Sequence, residues 1–139
     1  MSFYFSIKKK EKTMKRKILN SQAPAPIGPY NQGIQAQGTF AYVSGQLPLC
    51  DGKLAGNDIT SQTEQSLKNV GYILEEAGYT WKDVVKTTVY LKDMNDFAAM
   101  NAVYAKVFEG TIFPARVCFQ VGKLPMDALV EIEAIAVKD

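Results

Sequence analysis

Two apolar runs near the end of the chain, FPARVCFQV and ALVEIEAIAV, are interrupted by an arginine, a cysteine and two glutamates at alternating positions. Their types define a chemistry before any fold is known. A guanidinium offers a rigid fork of N–H donors that a planar carboxylate accepts bidentately, which the point charge of a lysine does not reproduce. A carboxylate that accepts a hydrogen bond from water can orient it and draw off a proton. Arg116, Cys118, Glu131 and Glu133 are therefore the residues whose purpose needs explaining, a structural ion pair being one reading for Glu133.

Side chains of a strand alternate between its faces with a period of two. Val117, Phe119 and Val121 share one face, and Arg116, Cys118 and Gln120 the other. In the second run Val130, Ile132, Ala134 and Ala136 oppose Glu131, Glu133, Ile135 and Val137. If the GKLPMDA segment folds the chain back, the apolar faces coincide and Arg116, Cys118, Glu131 and Glu133 gather on the far side. One reading is a solvated face with a surface salt bridge. The other is a subunit interface or cleft, which suits the cysteine, isoleucine and valine in that company.

The 139 residues, 47% hydrophobic and 11% aromatic, fit one globular domain with a core of its own. There is no histidine, which removes the Ser-His-Asp triad, the Cys-His pair and every His-containing zinc site. Cys50 and Cys118 are far apart and form no CxxC, so a zinc cage is not expected and a reduced, cytosolic setting is. No glycine-rich phosphate loop and no membrane-length apolar run is present. Four lysines and one glutamate fall in residues 1–13, leaving residues 14–139 with a net charge of −1. That balance argues against nucleic-acid binding. The basic head reads as a solvated extension without the apolar segment of a signal peptide, and Met14 is an alternative start.

Periodicity supplies the scaffold. KILN (17–20) is a strand, and Pro24, Pro26, Gly28 and Pro29 then enforce an extended loop. Residues 33–37 and 40–47 read as a hairpin around Gly38-Thr39, and Asp51-Gly52 as a turn. Leu67, Val70, Leu74 and Ala77 recur at helical spacing, with Asp58 or a Ser61–Glu64 capping box at the start and Gly78 as the stop. Residues 83–91 form a β-branched strand. Asp93 or Asn95 caps a second helix whose stripe is Phe97, Met100, Tyr104, Val107 and Phe108, ended by Gly110. The order βββαβαββ is an α+β sandwich, a mixed sheet with two helices on one face. Its other face is left wanting a partner.

APAPIGPYNQG, YVSGQLP, FPARVCFQVGKLP and VEIEAIAV together resemble the reactive-intermediate deaminase family, also called Rid or YjgF, from Met14 to Val137. The resemblance implies a chorismate-mutase-like fold, a homotrimer with sites between subunits, and a cytoplasmic enzyme without metal or organic cofactor. It implies hydrolysis of small 2-imino acids, shed by pyridoxal-phosphate enzymes, to 2-oxo acids and ammonia. By position it places the carboxylate-binding residue at Arg116, the water-orienting one at Glu131 and the loop tyrosine at Tyr30. Ser44, Gly45, Asn101 and Cys118 complete the expected pocket. Val117, Phe119, Gln120 and Gly122 stand where the family varies, and residues 1–13 have no counterpart in it. The thiol of Cys118 need not attack, although Arg116 two residues away favours its thiolate. Two other readings stand beside the enzyme: a module that binds a 2-oxo or amino acid without turnover, and a ribonuclease or translation inhibitor.

Overall fold

The computed structural model describes residues 14–139; the basic segment 1–13 lies outside the described residues. The strands are β1 (Met14–Ile18), β2 (Gly33–Gln37), β3 (Thr39–Gln46), β4 (Leu49–Cys50), β5 (Lys53–Leu54), β6 (Val84–Leu91), β7 (Ala115–Gln120) and β8 (Val130–Lys138). Helix α1 (Ile59–Glu76) precedes β6, and α2 (Phe97–Val107) follows it. Four strands make the main sheet, in the order β3-β8-β6-β7. β8 runs antiparallel to both neighbours, and β6 and β7 are parallel. The sheet is mixed and carries two helices, as expected.

Side-chain caps mark the start of α1 and of the turn that leads into α2, whose own first residue follows Asp96 without a side-chain cap. Asp58, in an extended conformation, accepts a hydrogen bond on its side chain from Ser61 N at 2.7 Å, so Asp58 rather than Ser61 is the cap of α1. Such a cap contributes about 1 kcal/mol. Gly78 takes a φ of 84°, and the turn closes with Tyr79 N donating to Leu74 O at 2.9 Å. Asp93 caps a short 3₁₀ turn that leads into α2, with Oδ1 accepting from Asn95 N. Leu67, Val70 and Leu74 of α1 and Met100, Tyr104 and Phe108 at α2 are buried against Val89, Leu91, Val130, Ile132, Ala134 and Ala136 of the sheet. Each large aliphatic side chain so buried contributes about 1.5–3 kcal/mol.

Three expectations need correction. β2 and β3 are not a hairpin: β2 pairs with β1 in a separate ribbon, while β3 pairs with β8. The chain turns at Gly38, whose φ of 143° is unfavourable for a side chain and whose missing Cβ would overlap Lys138 O. The segment between β7 and β8 is not a fold-back either, because β6 lies between those strands. In consequence Arg116 and Cys118 point to the helices, while Val117 and Phe119, each about half exposed, share the open face with Glu131 and Glu133. The strand count also grows by β4 and β5, which pair around Asp51 and Gly52, both at positive φ.

The ribbon and its loop fasten to the sheet from outside. Lys15 Nζ donates to the carbonyls of Lys82 and Ile112, both at 2.9 Å, which pins β1 to the approaches of β6 and β7. β2 rests on β6 and β8, where Val137 is buried outside the main core. Asn31 reaches the edge of β7: its N–H donates to Pro114 O at 3.1 Å and its Nδ2 to Phe113 O at 2.7 Å. Gln32 Nε2 holds the loop's shape through the carbonyls of Asn20, Ala23 and Pro24. This carries the Gly28-Pro29-Tyr30 turn over Arg116.

Candidate active site

Arg116 is the centre of one cluster. β7 pairs it with Thr87 of β6, on the face that α2 covers, and only 8% of the residue is exposed. Its Nη1 donates to Asn101 Oδ1 at 2.8 Å and points at Met100 Sδ, 4.0 Å away. The guanidinium carbon lies 4.8 Å from the Tyr104 ring centre, 5.2 Å from that of Tyr30 and 5.6 Å from that of Phe97. No carboxylate pairs with it within 4.0 Å among the described residues, where the ion pair found is the exposed Lys92–Asp127. Burial lowers the pKa of the guanidinium, which still remains charged. Aromatic rings and one neutral amide thus hold a buried cation that has no anion of its own.

The loop is built to approach it closely. A Cβ on Gly28 would stand 3.2 Å from Arg116 Nη2 and 3.3 Å from Asn101 Nδ2. Tyr30 OH accepts from Ile27 N at 3.2 Å, fixing the ring that flanks the guanidinium. Cys118, half-buried on the same face, packs against the core. Burial pushes its thiol pKa up, and the opposing pull of Arg116 does not prevail, so the expected bias to thiolate is not found.

Glu131 belongs to a second cluster, across the sheet. Arg116 aligns through Thr87 with Ala134, two strands away, and Glu131 stands three residues further along β8. Ordinary strand spacing then puts roughly 14 Å between the two Cα positions, with the side chains on opposite faces. Glu131 occupies the space that a side chain at position 45 would need: a Cβ on Gly45 would overlap its Oε2 and lie 3.0 Å from its Cδ. The β3–β8 ladder skips Ser44 and Gly45 between Val43 and Gln46. Ser44 also lines a depression of about 250 Å³ with Tyr42, Lys86, Thr88, Glu133 and Ile135. Glu133 makes no ion pair within 4.0 Å among the described residues, contrary to the role expected of it.

The seven expected site residues therefore separate by face. Tyr30, Asn101, Arg116 and Cys118 meet on the helix side, and Ser44, Gly45 and Glu131 on the open side. Gly28, Phe97, Thr87 and Tyr104 also build the first cluster and were not among them. The Gly-Pro break marked Gly28, whereas Phe97 and Tyr104 carried only the signal of a helix core stripe.

The fold and these clusters define an α+β protein with a buried arginine and a partly buried glutamate on opposite faces of one sheet. The chain belongs to the family described as Endoribonuclease L-PSP, whose model matches residues 20–138, and the resemblance to the Rid or YjgF proteins is borne out. A RutC family protein of Pyrococcus horikoshii is 54% identical over 128 residues, 91% of this chain and all of its own. A 2-iminobutanoate/2-iminopropanoate deaminase of Salmonella typhimurium is 47% identical over 129 residues, 90% of this chain and 99% of its own. The crystal structure of Escherichia coli TdcF with bound serine superposes with a TM-score of 0.71 at 41% identity, covering 89% of this chain and 99% of that one. No helix among the described residues is long and apolar enough to cross a membrane.

Proposed function

We propose that the protein hydrolyses small 2-imino acids to 2-oxo acids and ammonia, at sites assembled between the subunits of a homotrimer. The carrying observation is Arg116: a buried guanidinium without a carboxylate partner among the described residues is a standing site for the carboxylate of a substrate. Asn101 steers that fork, and Tyr30 and the Gly28 turn form the rim. Glu131 of a neighbouring subunit faces the bound iminium carbon and takes a proton from water as its oxygen bonds to that carbon. The proton returns to the carbinolamine nitrogen, the C–N bond breaks as Glu131 takes the hydroxyl proton, and that proton passes to the departing ammonia, so the products are the 2-oxo acid and ammonium. The backbone of Ser44 and Gly45, outside the strand ladder, lies beside the carboxylate, and Cys118 walls the acid pocket. The reading uses no metal and no organic cofactor.

The relatives named as deaminases support the reaction, and the serine in TdcF supports recognition of a small amino-acid-like carboxylate in this family. The open sheet face, with Tyr42 73% exposed beside Phe40 on one edge strand and Val117 and Phe119 exposed on the other, supports a covering neighbour. The test is direct. Imino acid generated in place by a dehydratase should convert to 2-oxo acid faster with the protein than without it, and equal rates refute the reading.

The family description favours one alternative, cleavage of RNA. The described chain has no histidine and a net charge of −1, so phosphate neutralisation is poorly served. RNA binding that weakens steeply with salt, together with cleavage, would establish that alternative.

A further inference from the structure

On that reading, Arg116 must stay available to the substrate. A buried guanidinium ordinarily takes a carboxylate partner, and such a partner would compete with the substrate for the same fork. Here the partner is a ring. Tyr104 is fully buried, its ring centre lies 4.8 Å from the guanidinium carbon, and its hydroxyl shares a 2.6 Å hydrogen bond with Thr87 Oγ1. Thr87 is also the residue that the β6–β7 register sets beside Arg116. One side chain of α2 is therefore tied at its tip to the neighbouring strand and presents its face to the cation. Phe97 and Tyr30, which lie 5.6 and 5.2 Å from the same carbon, are not fully buried.

We infer that Tyr104, located by Thr87, is a positioning residue: its π face stands in for a counter-ion, stabilising Arg116 in place while leaving the guanidinium edge free for the substrate carboxylate. An aromatic face attracts a cation through its quadrupole and takes none of its N–H donors. Burial pushes the phenol up to about 12, so the ring stays neutral and offers no phenolate to occupy the fork. The device explains how a charge can be buried without being spent on an internal ion pair.

The test is calorimetric affinity for 2-oxobutanoate, a product of the proposed reaction, in folded full-length variants. Tyr104→Phe and Thr87→Val keep the π face but release its tip, so each should weaken binding by about threefold, short of the loss on removing the face. Tyr104→Leu removes the face and should weaken binding roughly 5- to 30-fold. Pentafluorophenylalanine at position 104 keeps a ring of similar shape with its quadrupole reversed, and should weaken binding as leucine does. That arm decides the matter if the leucine variant does not fold, and a purely structural role would leave it at the phenylalanine level. The inference is overturned if the fluorinated ring binds like phenylalanine, or if Tyr104→Phe loses as much as Tyr104→Leu. Arg116→Ala separates the two levels. If it abolishes binding while the ring variants match the parent, only this inference fails; if it too binds normally, the proposed site fails with it.

Discussion

If Arg116 and Glu131 act on one substrate, two protomers must supply them, and mixing inactive variants should restore activity. Arg116→Ala keeps Glu131, and Glu131→Gln keeps Arg116. Each alone should fall roughly 30-fold or more, as expected for loss of a desolvated charged contact or of the water acceptor. Unfolded in urea, mixed in equal amounts and refolded together, they should assemble at random. In a cyclic assembly each site draws its arginine from one protomer and its glutamate from the next. The arginine is intact in half of the first protomers and the glutamate in half of the second, so about one quarter of sites are restored. The mixture should therefore regain about 25% of parent activity, several times the residual of either variant taken through the same cycle. A mixture no more active than the mean of its components would refute the division of the site. It would mean that a single protomer brings together groups that lie on opposite faces of its sheet.

Further outcomes follow from particular contacts. Arg116→Lys keeps the charge without the fork and should lower kcat/KM less than Arg116→Ala, whose loss should be on the order of 2–4 kcal/mol, or roughly 30- to 1000-fold; equal rates for parent and alanine variant would reduce Arg116 to a structural residue. Glu131→Gln should lower turnover while 2-oxo acid binding persists, which calorimetry beside the coupled assay would separate. Gly45→Ala places a Cβ on the Glu131 carboxylate, the movable end of a side chain. Turnover should fall with little change in melting temperature, and unchanged turnover would show that the position of Glu131 is immaterial. The buried Tyr104 phenol has its pKa raised from 10.0 to about 12. Its contribution to stability is whole below pH 10 and is lost as pH rises toward 12, because the unfolded chain ionises first. The urea-midpoint difference between parent and Tyr104→Phe should therefore shrink between pH 9 and pH 11, and a constant difference would reject this assignment.

Much of the scaffold was legible because the signals were local. The stripe of Leu67, Val70 and Leu74, the Asp58 cap, the Gly78 stop and the β-branched run of β6 each specify their own segment. What was not legible was the sidedness of β7. A period of two divides ARVCFQ into two sets and does not say which faces inward. Hydropathy favoured Val117 and Phe119, yet the inward set is that of Arg116 and Cys118. The cause is non-local: rings from the Tyr30 loop and from α2 cover the guanidinium, and no feature of β7 announces them. The same holds for β8, which inserts between β3 and β6 instead of beside β7. Site residues were found by resemblance, and their distribution between two faces required the fold.

The hold of Asn31 on the rim of β7 has a consequence for solubility. β7 is the last strand of its sheet, and an unguarded last strand invites pairing with a stranger. Asn31 bridges it at Ala115 and occupies the carbonyls of Phe113 and Pro114. One residue further back, the same loop sets Tyr30 against Arg116. On the proposed reading the loop is at once a wall of the acid pocket and a cover for the start of an edge strand. A substitution that loosens it, such as Asn31→Ala, would expose a strand edge in the same motion that spoils the pocket, so that loss of catalysis and loss of soluble protein would arrive together.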